Sequence, residues 1–451
     1  MPTLTVLTDS DVHAILHSLT RDDVIDIELA LADALHSYST AGEENLCCSS
    51  YQPLRTALKR KDGKTTLFMP ASAHTGLGFK VVTLASPADS TRGSLSRLSL
   101  SSPARSGSPR PSVSSESTSS SGPFAPPSSM SSSESTTPKG SLTLLGSDGT
   151  PTALINAEEI TAFRTALCSN FLIKKRLSVH DVTIFGAGKQ AYWHARIALL
   201  MRGQDIHHLN VVNRSFDRAR DLMIKLYNPM PGDENYVNPI GPKYNSKTKT
   251  AILTPTHPEY ERLLKEYVRS ANVIFCTTPS TEPLFPASYL TNPEGRKKGR
   301  YIALVGSYKP HMIELHPDIL KQAVAPHHEH RHFHKHQREG GAVIVDSLDA
   351  CLKEAGEIIQ AKLQPHQLVE LGELVMLKRD AEQRQQAKQN KHHDQDDDGI
   401  EVKDNDGLKE WLCKGNVIFK SVGMGLMDVV VGHELVRLAR EKGIGTIIEN
   451  F

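Results

Sequence analysis

The sequence has no long hydrophobic run and no excess of either charge. No stretch approaches the roughly 18 uninterrupted apolar residues of a membrane-spanning helix. The amino-terminal stretch MPTLTVLTDSDVHAIL lacks the basic and then apolar pattern of a secretory signal. Lysine and arginine together number 52 and aspartate and glutamate 51, a balance that argues against nucleic acid or an anionic membrane as a bulk partner. We therefore expect a cytoplasmic protein that binds neither nucleic acid nor membrane.

Cysteine is scarce and scattered. The six cysteines lie at positions 47, 48, 168, 276, 351 and 413, and only the first two are adjacent. There is no CxxC and no Cys/His pair with the spacing of a zinc ligand set, so no metal site is predicted. This usage is typical of a reduced intracellular protein with free buried thiols.

Three segments lack the apolar residues that a packed core needs. Residues 86–139 are dominated by Ser, Pro and Gly, which predicts a disordered insertion in a loop, either passive or phosphorylated for regulation. The tract at 327–341 holds six histidines in its first ten residues. Dense histidine can bind transition metals, but a fixed site needs a supporting scaffold that this tract lacks, so a surface loop is expected. The stretch between 378 and 410 is charged and polar throughout, which predicts a solvent-exposed insertion.

A glycine-rich turn lies between a strand-like and a helix-like run. DVTIF at 181–185 has strand composition, GAGKQA follows it, YWHARIALLM has helical composition, and HLNVVNR is the next strand candidate. Such a turn in a β-α-β unit of about 30 residues is the fingerprint of a dinucleotide site. Gly186 permits the tight turn, Gly188 lets the backbone approach a pyrophosphate, and the small Ala191 lets helix and strand pack closely. The free N–H groups of the helix N-terminus would receive the anion.

The end of the next strand, VVNRS, indicates which nicotinamide cofactor binds. NAD sites usually carry Asp or Glu there, to accept a hydrogen bond from the ribose 2′-hydroxyl. Asn213 has no charge to repel a 2′-phosphate, and the guanidinium of Arg214 can pair bidentately with one. We expect NADP(H) in preference to NAD(H), with Ser215 as a further cofactor neighbour.

Further buried-strand candidates alternate with helical stretches. ANVIFCTT, YIALVGS and GAVIVDS read as strands that end in small or polar residues. Ligands of open α/β sheets lie beyond the carboxyl ends of the strands, so Thr277, Thr278, Gly306 and Ser307 are expected beside the cofactor. The alternation predicts a Rossmann-type, doubly wound parallel sheet.

The first part of the chain has a different pattern, an amphipathic helical stretch followed by strands that alternate as in an antiparallel sheet. Motifs here and further on occur in a fixed order: QPLRT, FMPA, GFKVVT, EEITAFRTA, GAGKQA, NRS, VDSLDACLKEAGEI, ELGEL and FKSVGMGLMD. Together they resemble the ornithine cyclodeaminase/mu-crystallin family over essentially the whole chain outside the three polar segments.

The resemblance implies a subunit of two domains. Residues 1–170 would form an α+β domain that binds substrate and dimerises through an antiparallel sheet, completed by the C-terminal helix 421–451. Residues 171–420 would form the nucleotide-binding domain. The polar insertions of that domain are expected at about 228–255, 323–341 and 378–410. The assembly implied is a homodimer.

The resemblance also implies the site residues. Arg55, Lys80 and Arg164 would surround the carboxylate of an imino or amino acid beside the nicotinamide. The chemistry agrees, because arginine binds a carboxylate bidentately and lysine can hydrogen-bond it or supply a proton. The positions that would line the cofactor are Lys189, Gln190, Asn213, Arg214, Thr278, Val305 and Ser421.

One position departs from the cyclodeaminase pattern GxDxPxKxEL. This chain reads GSYKPHMIEL, so Tyr308 stands where the pattern has the Asp that acts as base on the substrate amine. A phenol with a pKa near 10 is a poor base at neutral pH. The departure favours reduction of a ketimine, in which Lys80 or a water supplies the proton and Tyr308 assists.

The first hypothesis is therefore an NAD(P)H-dependent oxidoreductase that reduces a ketimine or imino acid, and three alternatives stay open. A cyclodeaminase would form proline from ornithine and release ammonia without added reductant. A non-catalytic protein would bind NADPH or a small ligand without turnover. A metal-handling protein built on the histidine tract would depend on residues 327–341.

Overall fold

The computed structural model describes most of the chain. The described ranges are 3–40, 52–84, 138–227, 235–240, 247–325, 341–375 and 401–451, without the side chains of 401–406. The predicted disorder of 86–139 falls outside the described residues, apart from 138 and 139, and so does the histidine tract up to 340. Among the residues described, no helix is long and apolar enough to cross a membrane.

The strands and helices follow in chain order. The strands are β1 (Thr3–Leu7), β2 (Thr56–Lys59), β3 (Thr65–Ala73), β4 (Gly76–Leu84), β5 (Lys139–Leu145), β6 (Pro151–Asn156), β7 (Asp181–Phe185), β8 (His208–Val212), β9 (Lys249–Leu253), β10 (Val273–Cys276), β11 (Tyr301–Leu304), β12 (Val343–Val345), β13 (Leu368–Glu370), β14 (Val417–Lys420) and β15 (Thr446–Glu449). The helices are α1 (Asp9–His17), α2 (Arg21–Thr40), α3 (Ala157–Phe171), α4 (Lys189–Arg202), α5 (Phe216–Tyr227), α6 (Tyr260–Ser270), α7 (Ser288–Thr291), α8 (Pro293–Arg296), α9 (Pro317–Ala323), α10 (Leu348–Glu354), α11 (Gly356–Ala361), α12 (371–375), α13 (Glu401–Lys414) and α14 (Gly425–Lys442).

The first sheet has the strand order β15-β1-β6-β5-β4-β3-β2 and is antiparallel except for the β1–β6 pair. Buried and more exposed residues alternate along β4, as expected for a strand with one covered face. Helix α14 packs on β3, β4 and β5, and α3 packs on β5. Lys80 points to this covered face and is 1% exposed. The sheet therefore places a lysine in the core, beneath α14.

The second sheet has the strand order β13-β12-β14-β11-β10-β7-β8-β9, and every pair of neighbours is parallel. From β7 the chain proceeds through α4 to β8 on one side, whereas β10 lies on the other side of β7. The carboxyl ends of the central strands thus meet around a point where the strand order reverses. The predicted fold class, a doubly wound parallel sheet with a second α+β domain, is confirmed.

Several element boundaries differ from the sequence prediction. Strand β9 lies within the segment 228–255 that was expected to be a polar insertion, and α13 overlaps the end of the insertion expected at 378–410. Strand β9 is an edge strand whose first two residues, Lys249 and Thr250, are exposed and polar. The strand therefore begins in the same kind of sequence as the polar segment that precedes it. The C-terminal segment contains the expected helix, and it also contributes β15, which pairs antiparallel with β1.

Candidate active site

The glycine-rich turn after β7 forms an open cradle at the N-terminus of α4. Gly186 has φ +111°, and a Cβ there would stand 2.6 Å from Thr277 Oγ1, so this position requires glycine. Gly188 is the N-cap of α4, no side chain caps the helix there, and no atom lies within 4 Å of the place that a Cβ would take. The first-turn N–H groups of a helix lack intrahelical partners. The turn therefore fits a pyrophosphate, which would meet free backbone donors and the positive end of the helix dipole.

The end of β8 presents a free guanidinium. The Asn213 amide donates to the Ser215 carbonyl at 2.8 Å, and Ser215 Oγ accepts from the Arg218 N–H at 3.4 Å, which holds the turn into α5. Arg214 is exposed and forms no ion pair with any residue that the structure describes. The loop therefore offers a cation that has no carboxylate partner in the described part of the chain, in the place where the sequence predicts the ribose of the cofactor.

Lys189 and Gln190, both predicted to line the cofactor, have contacts to α3. The Lys189 ammonium pairs with Glu158 at 2.9 Å and with Glu159 at 2.7 Å. Gln190 donates to the Thr161 carbonyl at 3.4 Å, and its side-chain oxygen is buried without a partner among the described residues. In this structure Lys189 joins the nucleotide-binding unit to α3, and its role toward a cofactor stays a prediction.

The loops after β10 and β11 are tied to one buried carboxylate. Glu314 accepts from the backbone N–H groups of Thr278 at 2.6 Å, Gly306 at 2.7 Å and Ser307 at 3.2 Å. Burial is the main cause that raises the pKa of Glu314 to about 7. Glu314 therefore fixes both loops, and with them the predicted cofactor neighbours that these loops carry.

The remaining predicted neighbours on these strands are held by the sheet itself. The Val305 N–H donates to the Cys276 carbonyl at 3.0 Å, and Thr277 Oγ1 donates to the Phe185 carbonyl at 2.7 Å. These bonds join the carboxyl ends of β7, β10 and β11. The bonds therefore fix the strands relative to one another at the edge of the sheet where a ligand is expected.

A buried ion pair joins the end of β14 to α11. Lys420, at the end of β14, lies 3.3 Å from Glu357 Oε2 and donates to the Ser307 carbonyl at 2.5 Å. Ser307 Oγ also donates to Glu357 Oε1. All three side chains are fully buried. Because a buried charge is costly without a partner, this network fixes the carboxyl ends of β11 and β14 relative to each other.

The link between β14 and α14 is organised by Asp346. Its carboxylate accepts from Ser421 Oγ at 2.6 Å, from the Val422 N–H at 3.0 Å and from the Gly423 N–H at 2.7 Å. The predicted cofactor residue Ser421 is therefore immobilised at the edge of the nucleotide-binding sheet. Gly423 has φ +88°, and a Cβ there would stand 2.6 Å from Arg164 Nη2. The chain passes from the presumed cofactor edge directly to the predicted substrate residues.

Lys80 and Arg164 meet at a carboxylate that the sequence analysis did not single out. Lys80 Nζ lies 2.9 Å and Arg164 Nε 3.2 Å from Asp428 Oδ1. Asp428 lies in the first turn of α14, where the helix dipole favours a negative charge, and it is 0% exposed. The other oxygen of the carboxylate, Oδ2, is buried and has no partner among the described residues.

The environment lowers the pKa of Lys80 to about 8. Desolvation is the largest cause, Asp428 opposes it, and the cationic Arg164 and Arg55 lower the pKa further. A lysine with such a pKa is poised to give up a proton near neutral pH. Arg164 Nη1 contacts Met427 Sδ at 3.2 Å, and its Nη2 has no acceptor among the residues described.

Arg55 reaches across the cleft between the two units. It forms a bidentate pair with Glu354, with Nε to Oε1 at 2.9 Å and Nη2 to Oε2 as the second contact. Two longer contacts go to backbone carbonyls, from Nη1 to Val422 at 3.5 Å and from Nη2 to Tyr308 at 3.3 Å. Among the described residues, the three cations Arg55, Lys80 and Arg164 face two carboxylates, Asp428 and Glu354, so one positive charge stays unbalanced.

Tyr308 lies at this site but does not behave as a base. Its ring is half-buried, and burial raises the pKa of its hydroxyl above the ordinary value of a phenol. Its described contact within the site is made by the backbone carbonyl, which accepts from Arg55. The structure thus agrees with the expectation that this position is a poor replacement for a carboxylate base.

The structure brings together the residues predicted from separate motifs, and it adds carboxylates that were not singled out. Those carboxylates are Asp428, Glu354, Glu314, Glu357 and Asp346. All five lie within stretches quoted in the sequence analysis, but their spacing shows no metal or catalytic pattern, and only the tertiary structure reveals their partners. Among the residues with described side chains, no group of three or more His, Cys, Asp or Glu is arranged to hold a metal ion.

Comparison with known proteins supports the family resemblance. The chain is 28% identical to an uncharacterised protein of Saccharomyces cerevisiae over 299 residues, which cover 62% of this chain and 69% of the yeast protein. It is 25% identical to ketimine reductase mu-crystallin of Rattus norvegicus over 63% of this chain and 64% of that protein, less than two thirds of its length. It is 26% identical to a Delta(1)-pyrroline-2-carboxylate reductase of Bacillus cereus over 67% of this chain and 71% of that enzyme. A scan against protein-family models found no match.

Solved structures show the same fold. An archaeal alanine dehydrogenase dimer with bound NAD matches with a TM-score of 0.60 and 17% identity, over 100% of both chains. Delta(1)-pyrroline-2-carboxylate reductase of Thermococcus litoralis, in complex with NADH and L-proline, matches with a TM-score of 0.60 and 18% identity, over 98% of this chain and 99% of that chain. A probable ornithine cyclodeaminase of Bordetella pertussis matches with a TM-score of 0.55 and 18% identity, over 99% and 100%. Together with the motif order and the site geometry, these relatives support the resemblance to the ornithine cyclodeaminase/mu-crystallin family.

Proposed function

We propose that this protein is an NADPH-dependent reductase of cyclic ketimines that carry a carboxylate next to the C=N bond. The observation that carries the proposal is the cluster of Lys80, Arg164 and Asp428, which adjoins Gly423 at the carboxyl edge of the nucleotide-binding sheet. Relatives named as ketimine and Delta(1)-pyrroline-2-carboxylate reductases support the substrate class.

In the proposed reduction, each residue of the site has a separate role. The nicotinamide, when bound, supplies the hydride that adds to the C=N carbon. Arg164, whose Nη2 is free, and Arg55 hold the substrate carboxylate and orient the ring. Lys80, with a pKa of about 8, gives a proton to the imine nitrogen. The unpartnered Asp428 Oδ2 accepts the resulting N–H and keeps Lys80 charged before transfer.

The geometry favours reduction over cyclodeamination. Cyclodeamination requires a base that removes a proton from a substrate amine, and the family pattern has an aspartate for this step. Here the position is Tyr308, and its raised pKa makes it a weaker acid than an ordinary phenol, so its phenolate is scarce at neutral pH. Reduction needs a proton donor instead, and Lys80 supplies one.

The first test follows NADPH oxidation by absorbance with Delta(1)-pyrroline-2-carboxylate and piperideine-2-carboxylate. We expect turnover in the native protein. Arg164→Lys keeps the charge but removes the planar fork, so we expect its KM for the ketimine to rise about tenfold or more while NADPH binding is unchanged. The matched control is Arg262→Lys, at an exposed arginine of α6 that pairs with Glu259 and Glu266, and it should leave both constants unchanged.

Three outcomes would contradict the proposal. NADPH binding without oxidation by either ketimine would favour a non-catalytic binding protein. Release of ammonia from ornithine without added reductant would favour a cyclodeaminase. Equal activity of Arg164→Lys and Arg262→Lys would remove the assigned role of the cluster.

The preference for NADPH over NADH is part of the same proposal and has its own test. Arg214 is exposed and unpaired among the described residues, and Asn213 adds no negative charge beside it. We expect Arg214→Gln to raise the KM for NADPH about tenfold and to leave the KM for NADH unchanged, because only NADPH carries the 2′-phosphate. Arg218→Gln, at an exposed arginine in the first turn of α5, is the control. A variant that binds both cofactors as the native protein does would contradict the assignment.

We further propose a homodimer formed through the first sheet, and the cytoplasmic location inferred from the sequence stays a prediction. The archaeal alanine dehydrogenase of the same fold is described as a dimer. The face of the first sheet that α14 does not cover exposes large apolar side chains, among them Phe68 and Phe79, at 41% and 40%. Exposed apolar faces of this kind are typical of protein–protein interfaces.

A further inference from the structure

Glu354 faces Arg55 from the opposite side of the cleft. Arg55 precedes β2 in the first sheet unit, whereas Glu354 is the last residue of α10 in the nucleotide-binding unit. A carboxylate at the C-terminal end of a helix is unfavourable for the helix dipole, so α10 gains nothing from this residue by itself. The bidentate contact with Arg55 is the interaction that compensates for its position.

The two edges of the Arg55 guanidinium are held very differently. The Nε/Nη2 edge carries both oxygens of Glu354, and bidentate charge-assisted pairs are the strongest of the common hydrogen-bonded contacts. Among the residues that the structure describes, the Nη1/Nη2 edge meets the carbonyls of Val422 at 3.5 Å and Tyr308 at 3.3 Å and no other acceptor. Both distances exceed the usual range of about 2.7–3.2 Å for N–H···O bonds. An incoming carboxylate therefore displaces the two long carbonyl contacts far more easily than it displaces Glu354.

We propose that Glu354 is a positioning residue that holds the Nε/Nη2 edge of the Arg55 guanidinium and thereby presents the Nη1/Nη2 edge to the carboxylate of the substrate. This inference rests on the proposed function, because it names the part of the same site that recognises the carboxylate. Glu354 acts only through Arg55. The pair also spans the cleft, so recognition of the carboxylate depends on the two units being held together at this point.

The test combines kinetics with a binding measurement. We expect Glu354→Gln to raise the KM for Delta(1)-pyrroline-2-carboxylate about tenfold with little change in kcat, because ground-state and transition-state binding of the carboxylate are lost equally. A cyclic imine without a carboxylate, 1-pyrroline, should react equally with the native and variant proteins. Glu259→Gln is the matched control, because Glu259 forms the same bidentate contact with Arg262 on the exposed face of α6.

A double-mutant cycle separates positioning from a general structural role. If Glu354 acts through Arg55, the effect of Glu354→Gln disappears in an Arg55→Ala background. Additive effects of the two variants, or an equal loss with 1-pyrroline, would overturn the proposal. An unchanged KM in Glu354→Gln would overturn it as well.

Binding of pyrrole-2-carboxylate to the protein with NADP+, measured by calorimetry, distinguishes failure of this inference from failure of the reductase proposal. If no ketimine is reduced but Glu354→Gln weakens pyrrole-2-carboxylate about tenfold in the native background and not in Arg55→Ala, the reductase proposal fails and the role of Glu354 stands. If ketimines are reduced but this pattern is missing, the reductase proposal stands and the role of Glu354 fails. If the native protein does not bind the carboxylate at all, the inference is overturned.

Discussion

At the scale of single residues, the candidate site contains a lysine whose pKa is set by opposing effects of burial and of its neighbours. Lys80 is buried beside Asp428, and burial lowers its pKa to about 8, while the carboxylate opposes that effect. A proton donor is active in its protonated form. The rate should therefore be level below about pH 8 and fall as the pH rises through the pKa of Lys80.

The variant Asp428→Asn tests this balance. Removing the carboxylate removes the main contribution that raises the pKa of Lys80, so we expect the alkaline limb of kcat/KM to move to lower pH. The control is Glu434→Gln on the same helix, where the carboxylate pairs with Arg437 at 2.9 Å. The pH profile of each variant is measured with a saturating concentration of NADPH.

A profile that keeps its alkaline limb near pH 8 in Asp428→Asn would assign the titration to another group. An overall loss of rate with an unchanged limb would show that Asp428 orients Lys80 or the substrate and does not tune the proton. Both outcomes are visible in one series of rates against pH, because the position of the limb and the height of the plateau are read separately.

Sequence reasoning predicts the residue types of the site better than their partners. The family resemblance of their motifs implies Arg55, Lys80 and Arg164, and the chemistry of arginine and lysine agrees with it, whereas the glycines of the turn follow from their conformational use. Asp428 is different, because a carboxylate in the first turn of a helix is common on any protein surface. Its importance arises from its burial between two cations, which come from elements 348 and 264 residues away in the chain.

At the scale of secondary structure, local patterns predict the central β-α-β unit well. Strand β7, helix α4 and strand β8 follow the expected positions because their apolar runs, the glycine turn and the helix start are all encoded within about 30 residues. A local signal also starts α3, because the Asn156 side chain caps this helix by accepting from the Glu158 N–H at 2.9 Å.

Edge strands are less predictable because long-range pairing decides them. Strand β9 begins with two exposed polar residues, Lys249 and Thr250, and gains its conformation from pairing with β8. Strand β15 is exposed along its whole length and pairs with β1, some 440 residues earlier in the chain. Neither strand shows a strong alternation of apolar and polar residues, so their sequences give little indication of the sheet to which they belong.

At the scale of the whole molecule, the two sheets are joined so that the site is assembled from both. The chain leaves the nucleotide-binding sheet at β14, passes the Asp346 anchor, and enters α14, which packs on the first sheet. Arg55 and Lys189 add ion pairs between the units. The predicted substrate residues and the predicted cofactor edge, which belong to different units, are thereby held in one arrangement.

The outer face of the first sheet determines the expected assembly. Across this face the residues Pro70, Phe79, Thr143 and Leu154 are successive cross-strand neighbours on β3, β4, β5 and β6. Phe79 and Leu154 are each 40% exposed, although they lie in the middle of the sheet. Apolar side chains in such a row are stabilised by a second apolar face, and a second copy of the same sheet provides one by two-fold symmetry.

We therefore expect Phe79→Glu to convert a dimer into a monomer, because two-fold symmetry places the new charge on both sides of the interface and an unpaired buried charge is costly. The measurement is molar mass by light scattering after size exclusion, with thermal unfolding to show that the variant folds. The control is Phe216→Glu, at a phenylalanine of α5 that is 55% exposed on the nucleotide-binding unit, and it should leave the mass at that of two chains. A native protein with the mass of one chain, or a Phe79→Glu protein with the mass of two, would show that this sheet face is not the dimer interface.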